Sequence, residues 1–126
     1  MLGIEVRQSF IHGKGVYATQ NFEVGDVVIP WELETLSQRE YDLLQAEEKK
    51  HTMWLDNSFQ KVLPPACYVN HSCDSNTKPI GRADVAIKPI KIGDEITADY
   101  APILGPDEEF TCSCGSLNCR KIVKQN

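Results

Sequence analysis

The sequence predicts a mainly β (α+β) domain of short strands, with one short helical insert and a C-terminal tail tied down by cysteines. Three observations predict it. Short runs rich in β-branched and aromatic residues alternate with Gly and Pro punctuation, which is the pattern of a strand-and-turn fold. A single stretch opens on a serine and carries helical signals. Cys112, Cys114 and Cys119 crowd the C-terminal end, and Cys73 lies apart from them inside the polar cluster Asn70-His71-Ser72-Cys73.

The elements follow in order. Gly3 to Phe10 can form a strand, Gly13-Lys14-Gly15 a tight turn, and Val16-Tyr17-Ala18-Thr19 a second strand. Val24-Gly25-Asp26 is a turn feeding Val27-Val28-Ile29, which Pro30 closes. Ser37 stands three residues before Glu40, so its hydroxyl and the Glu40 carboxylate can satisfy the first free amides of a helix reaching about residue 50. Tyr41, Leu43 and Leu44 give that helix an apolar stripe, and Glu47-Glu48-Lys49-Lys50 a solvated end. Met53 to Asp56 and Phe59 to Leu63 have strand composition, and Pro64-Pro65 forces an extended approach to Asn70. Ala83 to Ile87 and Glu95 to Ala98 are further strands, with Ile92-Gly93-Asp94 as the turn before the second.

Composition narrows what such a domain can be. With 126 residues and 41% hydrophobic content, this is one modest domain with a small core. A structural metal near its end would add stability that packing alone does not supply. Met1-Leu2-Gly3-Ile4-Glu5-Val6-Arg7 has no apolar signal region, and no stretch approaches the roughly 18 apolar residues of a membrane span. The expectation is no membrane and a reducing intracellular compartment, cytoplasmic or nuclear. Five cysteines would also fit two disulfides and a free thiol in an exported chain. Close Cys-x-Cys spacing with a third cysteine nearby favours metal, and thiolates suit a tetrahedral zinc site. Cys73, Cys112, Cys114 and Cys119 are the expected ligands of one Zn²⁺. The net charge of −5 repels nucleic acid, so no direct nucleic-acid binding is expected; it favours lysine-rich protein segments, and equally serves plain solubility.

The order of four motifs then carries a resemblance. Gly13-Lys14-Gly15-Val16-Tyr17-Ala18, Asn70-His71-Ser72-Cys73-Asp74-Ser75-Asn76, Gly93-Asp94-Glu95-Ile96-Thr97-Ala98-Asp99-Tyr100 and the Cys112/Cys114/Cys119 tail together resemble the SET-domain protein lysine methyltransferases with a post-SET zinc segment. The resemblance spans about residues 4 to 122. It implies a SET fold of short β-sheets over residues 1–110, with a helical insert at about 31–66, a knot-like threaded C-terminal segment and a post-SET zinc tail at 111–126. It also implies S-adenosylmethionine as methyl donor, one structural zinc, and a protein substrate presenting a lysine, with a histone tail as the family default. A homodimer that completes the channel stays open.

Residue by residue, the resemblance assigns Gly13, Lys14, Gly15, Asn70 and His71 to the cofactor. Glycines let backbone approach a ligand closely, and Asn and His offer both donors and acceptors. Tyr100 is the expected catalytic residue, orienting a neutral amine beside the methyl. Trp31, His51, Ala98 and Ile122 are expected in the substrate channel. Each departs from the family pattern: Ala98 and Ile122 are smaller or aliphatic where aromatics are common, His51 replaces a tyrosine, and Leu33 stands where a glycine follows the position of Trp31. Ala98 should open the channel to di- or trimethylation. Cys67 stands where many members have arginine, and is expected to be a small buried hydrophobe; Ser75 replaces a proline. These departures equally suit a non-catalytic zinc-containing peptide-binding module. A zinc-stabilised adaptor is the third reading, for which Gly13-Lys14-Gly15 would have no purpose.

Overall fold

The computed structural model describes residues 3–11 and 13–125. Along the chain come β1 (Ile4–Gln8), β2 (Lys14–Ala18), β3 (Val27–Pro30), β4 (Leu33–Leu36), α1 (Gln38–Asp42), α2 (Ala46–Lys49), β5 (Thr52–Leu55) and β6 (Ser58–Val62). They are followed by β7 (Asn70–His71), β8 (Thr77–Pro79), β9 (Ala83–Ala86), β10 (Glu95–Ala98), β11 (Glu109–Thr111) and β12 (Ile122–Lys124). The main sheet runs β1-β2-β10-β8-β9-β3, with β7 also paired to β10. Its buried side chains Val16, Val28, Ile29 and Ile96 form the floor of the core, joined by Ile90 from the segment between β9 and β10. Mainly β composition is therefore as the sequence predicts.

The insert departs from expectation. The capping box at Ser37 forms, with the Glu40 amide donating to the serine hydroxyl at 3.1 Å and the Ser37 amide to the Glu40 carboxylate at 3.0 Å. Yet α1 stops after five residues, and Gln45 restarts the chain as a second cap, its amide donating to Glu48 at 3.2 Å. One predicted helix is thus two helical turns. Leu43 is 75% exposed at the break, so the expected stripe reduces to Tyr41 stacked on Phe59 at 3.6 Å and a half-buried Leu44. β5 and β6 fall where the sequence predicts strands, and with β4, which it does not mark, they form a three-stranded sheet. Asp56 and Asn57, both at positive φ, make the two-residue turn between β5 and β6, as a type I′ hairpin requires.

β10 organises the molecule's centre. Ala98 pairs with His71 on one edge and with Thr77 on the other. A strand residue has only two edges, so the segment from His71 to Thr77 passes from one side of β10 to the other, and the chain leaving Ala98 runs through its span. This is the threaded arrangement the resemblance implies. Asn76 fastens it, its side chain donating to the Glu95 carbonyl at 2.9 Å and accepting from the Thr97 amide at 2.9 Å, as a strand neighbour would. Beyond it, β11 and β12 pair as a small antiparallel hairpin, and Val123 packs with Ala101, Leu104 and Cys112 in a second core.

Candidate active site

A cavity of about 610 Å³ opens between the main sheet, the insert and the tail. Its volume falls within the usual range for small-molecule sites. Gly13, Lys14, Asn70, His71 and Tyr100 line it together with Trp31, His51 and Ala98. Two predicted residues are not in its wall. Gly15 lies inside β2, paired to Arg7, rather than in the predicted turn, and Ile122 is 50% exposed on β12, paired to Thr111.

The glycine turn meets the Asn-His strand directly. Gly13 has a φ of +47°, which lets the chain turn into β2. Gly15 has a different reason: a Cβ there would lie 2.5 Å from a Glu95 carboxylate oxygen and 2.9 Å from Ser9 Cβ. Glu95 is the hub, accepting from the Ser9 hydroxyl at 2.8 Å, the Tyr17 hydroxyl at 3.1 Å and the Asn70 amide at 2.9 Å. The same amide donates to the Lys14 carbonyl at 3.0 Å, so the glycine turn and the Asn-His strand are held to one another by a side chain.

His71 serves the protein's own frame. The Tyr100 backbone amide donates to His71 Nδ1 at 3.0 Å, which leaves the ring proton on Nε2, 3.4 Å from Cys73 Sγ. Burial lowers the imidazole's pKa; Asp99 raises it, and Arg120 lowers it further. A neutral ring with a fixed tautomer thereby links the tyrosine to the thiol cluster. Asp99 completes the link, accepting from Arg120 at 2.8 Å and from the Ala101 amide at 3.0 Å. Burial alone would raise its carboxyl, but these hydrogen bonds and the neighbouring charges hold it below the usual value.

Tyr100 stands at the end of β10 with its hydroxyl donating to the Val69 carbonyl. Burial, then the charges of Asp84, Cys67 and Glu95, push its phenol far above the ordinary value, so it is neutral at physiological pH. Its ring sits edge-on to His71 at 5.3 Å and to Phe110 at 5.9 Å. Phe110, which sequence reasoning did not single out, lines the cavity where Ile122 was expected to. The alternation of polar and apolar residues in Glu109-Phe110-Thr111-Cys112 is the signal that would have found it.

The four sulfurs of Cys73, Cys112, Cys114 and Cys119 lie within 4.8 Å of one another, and those of Cys73 and Cys112 are 3.9 Å apart. Tetrahedral zinc with bonds of about 2.3 Å separates its sulfurs by about 3.8 Å. The donor set and spacing fit zinc. Burial would raise the Cys114 thiol, but hydrogen bonds from Ser116, the Cys73 amide and Cys112 together pull it down to about 5. Arg120 reaches Cys73 Sγ through its backbone amide at 3.4 Å and Nε at 3.3 Å, the outer-shell donation that thiolate ligands require. Cys67 stands outside the cluster, and its thiol is raised by burial.

The cavity also holds Asp84, 4% exposed, which sequence reasoning passed over. Its signal was a carboxylate interrupting the apolar strand Ala83-Asp84-Val85-Ala86. Burial pushes its pKa up to about 6, against a hydrogen bond from the Trp31 side chain.

The threaded β-sheet thus sets a glycine turn, an Asn-His strand and a buried tyrosine around one cavity, with Cys112 and Cys114 of the thiol cluster in its wall. The chain belongs to the SET domain family, whose model matches residues 13–101. Trithorax of Drosophila virilis, a histone-lysine N-methyltransferase, is 30% identical over 95% of this chain and 4% of its own length. Human histone-lysine N-methyltransferase 2B is 26% identical over 95% of this chain and 5% of its own. Histone-lysine N-methyltransferase SET9 of Yarrowia lipolytica is 48% identical over 42% of this chain and 7% of its own. The chain thus spans a small fraction of the length of these relatives. A crystal structure of a candidate histone methyltransferase from Plasmodium falciparum shares the fold, with a TM-score of 0.66 at 17% identity, covering 79% of this chain and 94% of that one.

Proposed function

We propose that this domain methylates lysine side chains of proteins, with S-adenosylmethionine as donor and histone tails as the substrate class. One observation carries the reading: Gly13-Lys14, Asn70-His71 and Tyr100, distant in sequence, converge on one cavity that Trp31, His51 and Ala98 extend. Its relatives' names supply the substrate class, and work on histones implies a nuclear site of action. A bound S-adenosylmethionine would supply an electrophilic methyl on a sulfonium.

The chain's own residues supply placement. The backbone of the Gly13-Lys14 turn and of Asn70-His71 offers the polar groups for the donor. Trp31, Met53 and Ala98 give the lysine stem an apolar path that excludes water and disfavours the ammonium. The Tyr100 hydroxyl donates its proton to the Val69 carbonyl, so its oxygen remains an acceptor that can orient the amine N–H. Ala98, 3% exposed and small, leaves room for a methylated amine to rotate, which favours di- or trimethylation. Cys73, Cys112, Cys114 and Cys119 would hold a structural zinc.

The test is transfer of labelled methyl to core histones by the wild type and by Tyr100→Phe. Label on lysine that falls about 100-fold or more in kcat for the variant is the expected result. Equal transfer by both would remove Tyr100 from the site. Label absent from both, with no S-adenosylmethionine bound, would favour the non-catalytic module.

A further inference from the structure

Asp84 is a charge that the arrangement above leaves without a task. It shares the cavity with Trp31, Ala98 and Tyr100. Register explains why: Ala98 pairs with Thr77, Thr77 with Ala86, and Pro79 with Asp84. Asp84 and Ala86 are two residues apart on one strand and face the same way, so the carboxylate stands one row from Ala98. Among the described residues no cation forms an ion pair with it. Arg82 turns outward to Asp56 at 2.8 Å, and Lys88 is paired with Asp74. A buried carboxylate with one indole donor is unfavourable unless a cation enters beside it.

Resting on the methyl-transfer reading, we propose that Asp84 receives the ammonium of the substrate lysine and accepts one of its protons before transfer. The N–H bond breaks as an O–H bond forms on the carboxylate, leaving a neutral amine and a neutral acid. The amine lone pair then forms a bond to the sulfonium methyl while the carbon–sulfur bond breaks, its electron pair going to sulfur as a neutral thioether. The product leaves as methylammonium, and Asp84 returns its proton to water at the cavity mouth. A solvated carboxylate is too weak a base for this step. Burial raises the basicity of Asp84 and lowers that of the amine, so the gap closes from both sides. A neutral pair also suits the apolar walls better than a buried ion pair.

Tyr100 stands at the end of β10, and Cys67, His51, Tyr68, His71, Lys14, Lys49, Lys50, Glu47, Glu108 and Glu109 also line the cavity, none of the cations among them paired with Asp84; β3 carries no titratable side chain, and Lys78 of β8 is exposed.

The experiment compares wild type, Asp84→Asn and Asp84→Glu on core histones across pH 5 to 9, with S-adenosylmethionine affinity titrated in parallel. Asp84→Asn is expected to lose about 100-fold in kcat with donor affinity within about twofold, and its residual rate should lack the acid limb near pH 6 and climb with pH. Asp84→Glu should recover part of the rate and the limb. Wild-type kcat and pH profile in Asp84→Asn would overturn the role. No transfer by the wild type would overturn the methyl-transfer reading instead, and the role of Asp84 with it. A measurement on the wild type alone guards against a misfolded variant: a peptide with norleucine for the lysine should bind about tenfold more weakly at pH 7.5, a gap that shrinks at pH 5. Equal or tighter norleucine binding at both pH values would overturn the proposal.

Discussion

Asp84 is where a single residue sets both stability and chemistry. Its folded pKa of about 6 lies above the ordinary 3.8 because burial penalises the charge, so the folded chain binds a proton more tightly than the unfolded one. Its contribution to stability is therefore complete below the ordinary value and is lost as pH rises through about 6. The difference amounts to at most about 3 kcal/mol. Asn at this position does not titrate. Thermal unfolding of Asp84→Asn should therefore gain on the wild type between pH 4 and pH 7.5 by up to that amount, and a constant gap across the range would mean that the carboxylate is solvated. A site that weakens the fold at neutral pH is the kind that function retains. Tyr100 shows the same environment from the other side: its phenol is kept neutral by burial and by Asp84 itself.

Among the elements, the loop from His71 to Thr77 decides whether the site exists, because it holds β10 from both edges. Asn76 is its fastening. Replacing it by alanine would strip the Thr97 amide and the Glu95 carbonyl of their partners in a largely buried strand. The expected loss is about 2–4 kcal/mol in denaturant unfolding, with methyl transfer falling as Tyr100 loses its support. A loss below about 0.5 kcal/mol would show that water replaces the side chain freely. The strands β1, β2, β3, β5, β6, β9 and β10 were visible in the sequence as short runs of β-branched, aromatic and other apolar residues, most of them bounded by Gly or Pro. β7 and β8 were not, since two or three polar residues such as Asn70-His71 carry no periodicity and become strand only through β10. The insert misled for a related reason. The capping signal at Ser37 was real, but nothing local marks the second cap at Gln45, and β4 is specified by its partner β6. Motif order singled out Asn70, His71 and Tyr100, which line one cavity; Phe110 and Asp84 escaped because their placement depends on neighbours across space.

At the scale of the whole molecule, two cores meet at His71. The larger lies under the main sheet, and the smaller holds the tail through Val123, Leu104, Ala101 and Cys112. Few apolar residues hold β11 and β12, so the thiol cluster should supply much of the tail's stability. It also reaches the active site, since Cys73 is contacted by His71 Nε2, and His71 Nδ1 accepts from Tyr100. Removing zinc with a chelator should thus loosen the tail first, then the Phe110 wall, then Tyr100. Amide exchange should rise at Phe110, Thr111 and Val123 while β1 and β2 stay protected, and Cys112→Ser should reproduce this with lower zinc content. Methyl transfer should fall in step with zinc occupancy. Protons compete for the thiolates, so metal loss should also come on as pH falls. Unchanged exchange, melting temperature and metal content in Cys112→Ser would mean that the four sulfurs lie close for packing alone, and that the tail is held by its small core.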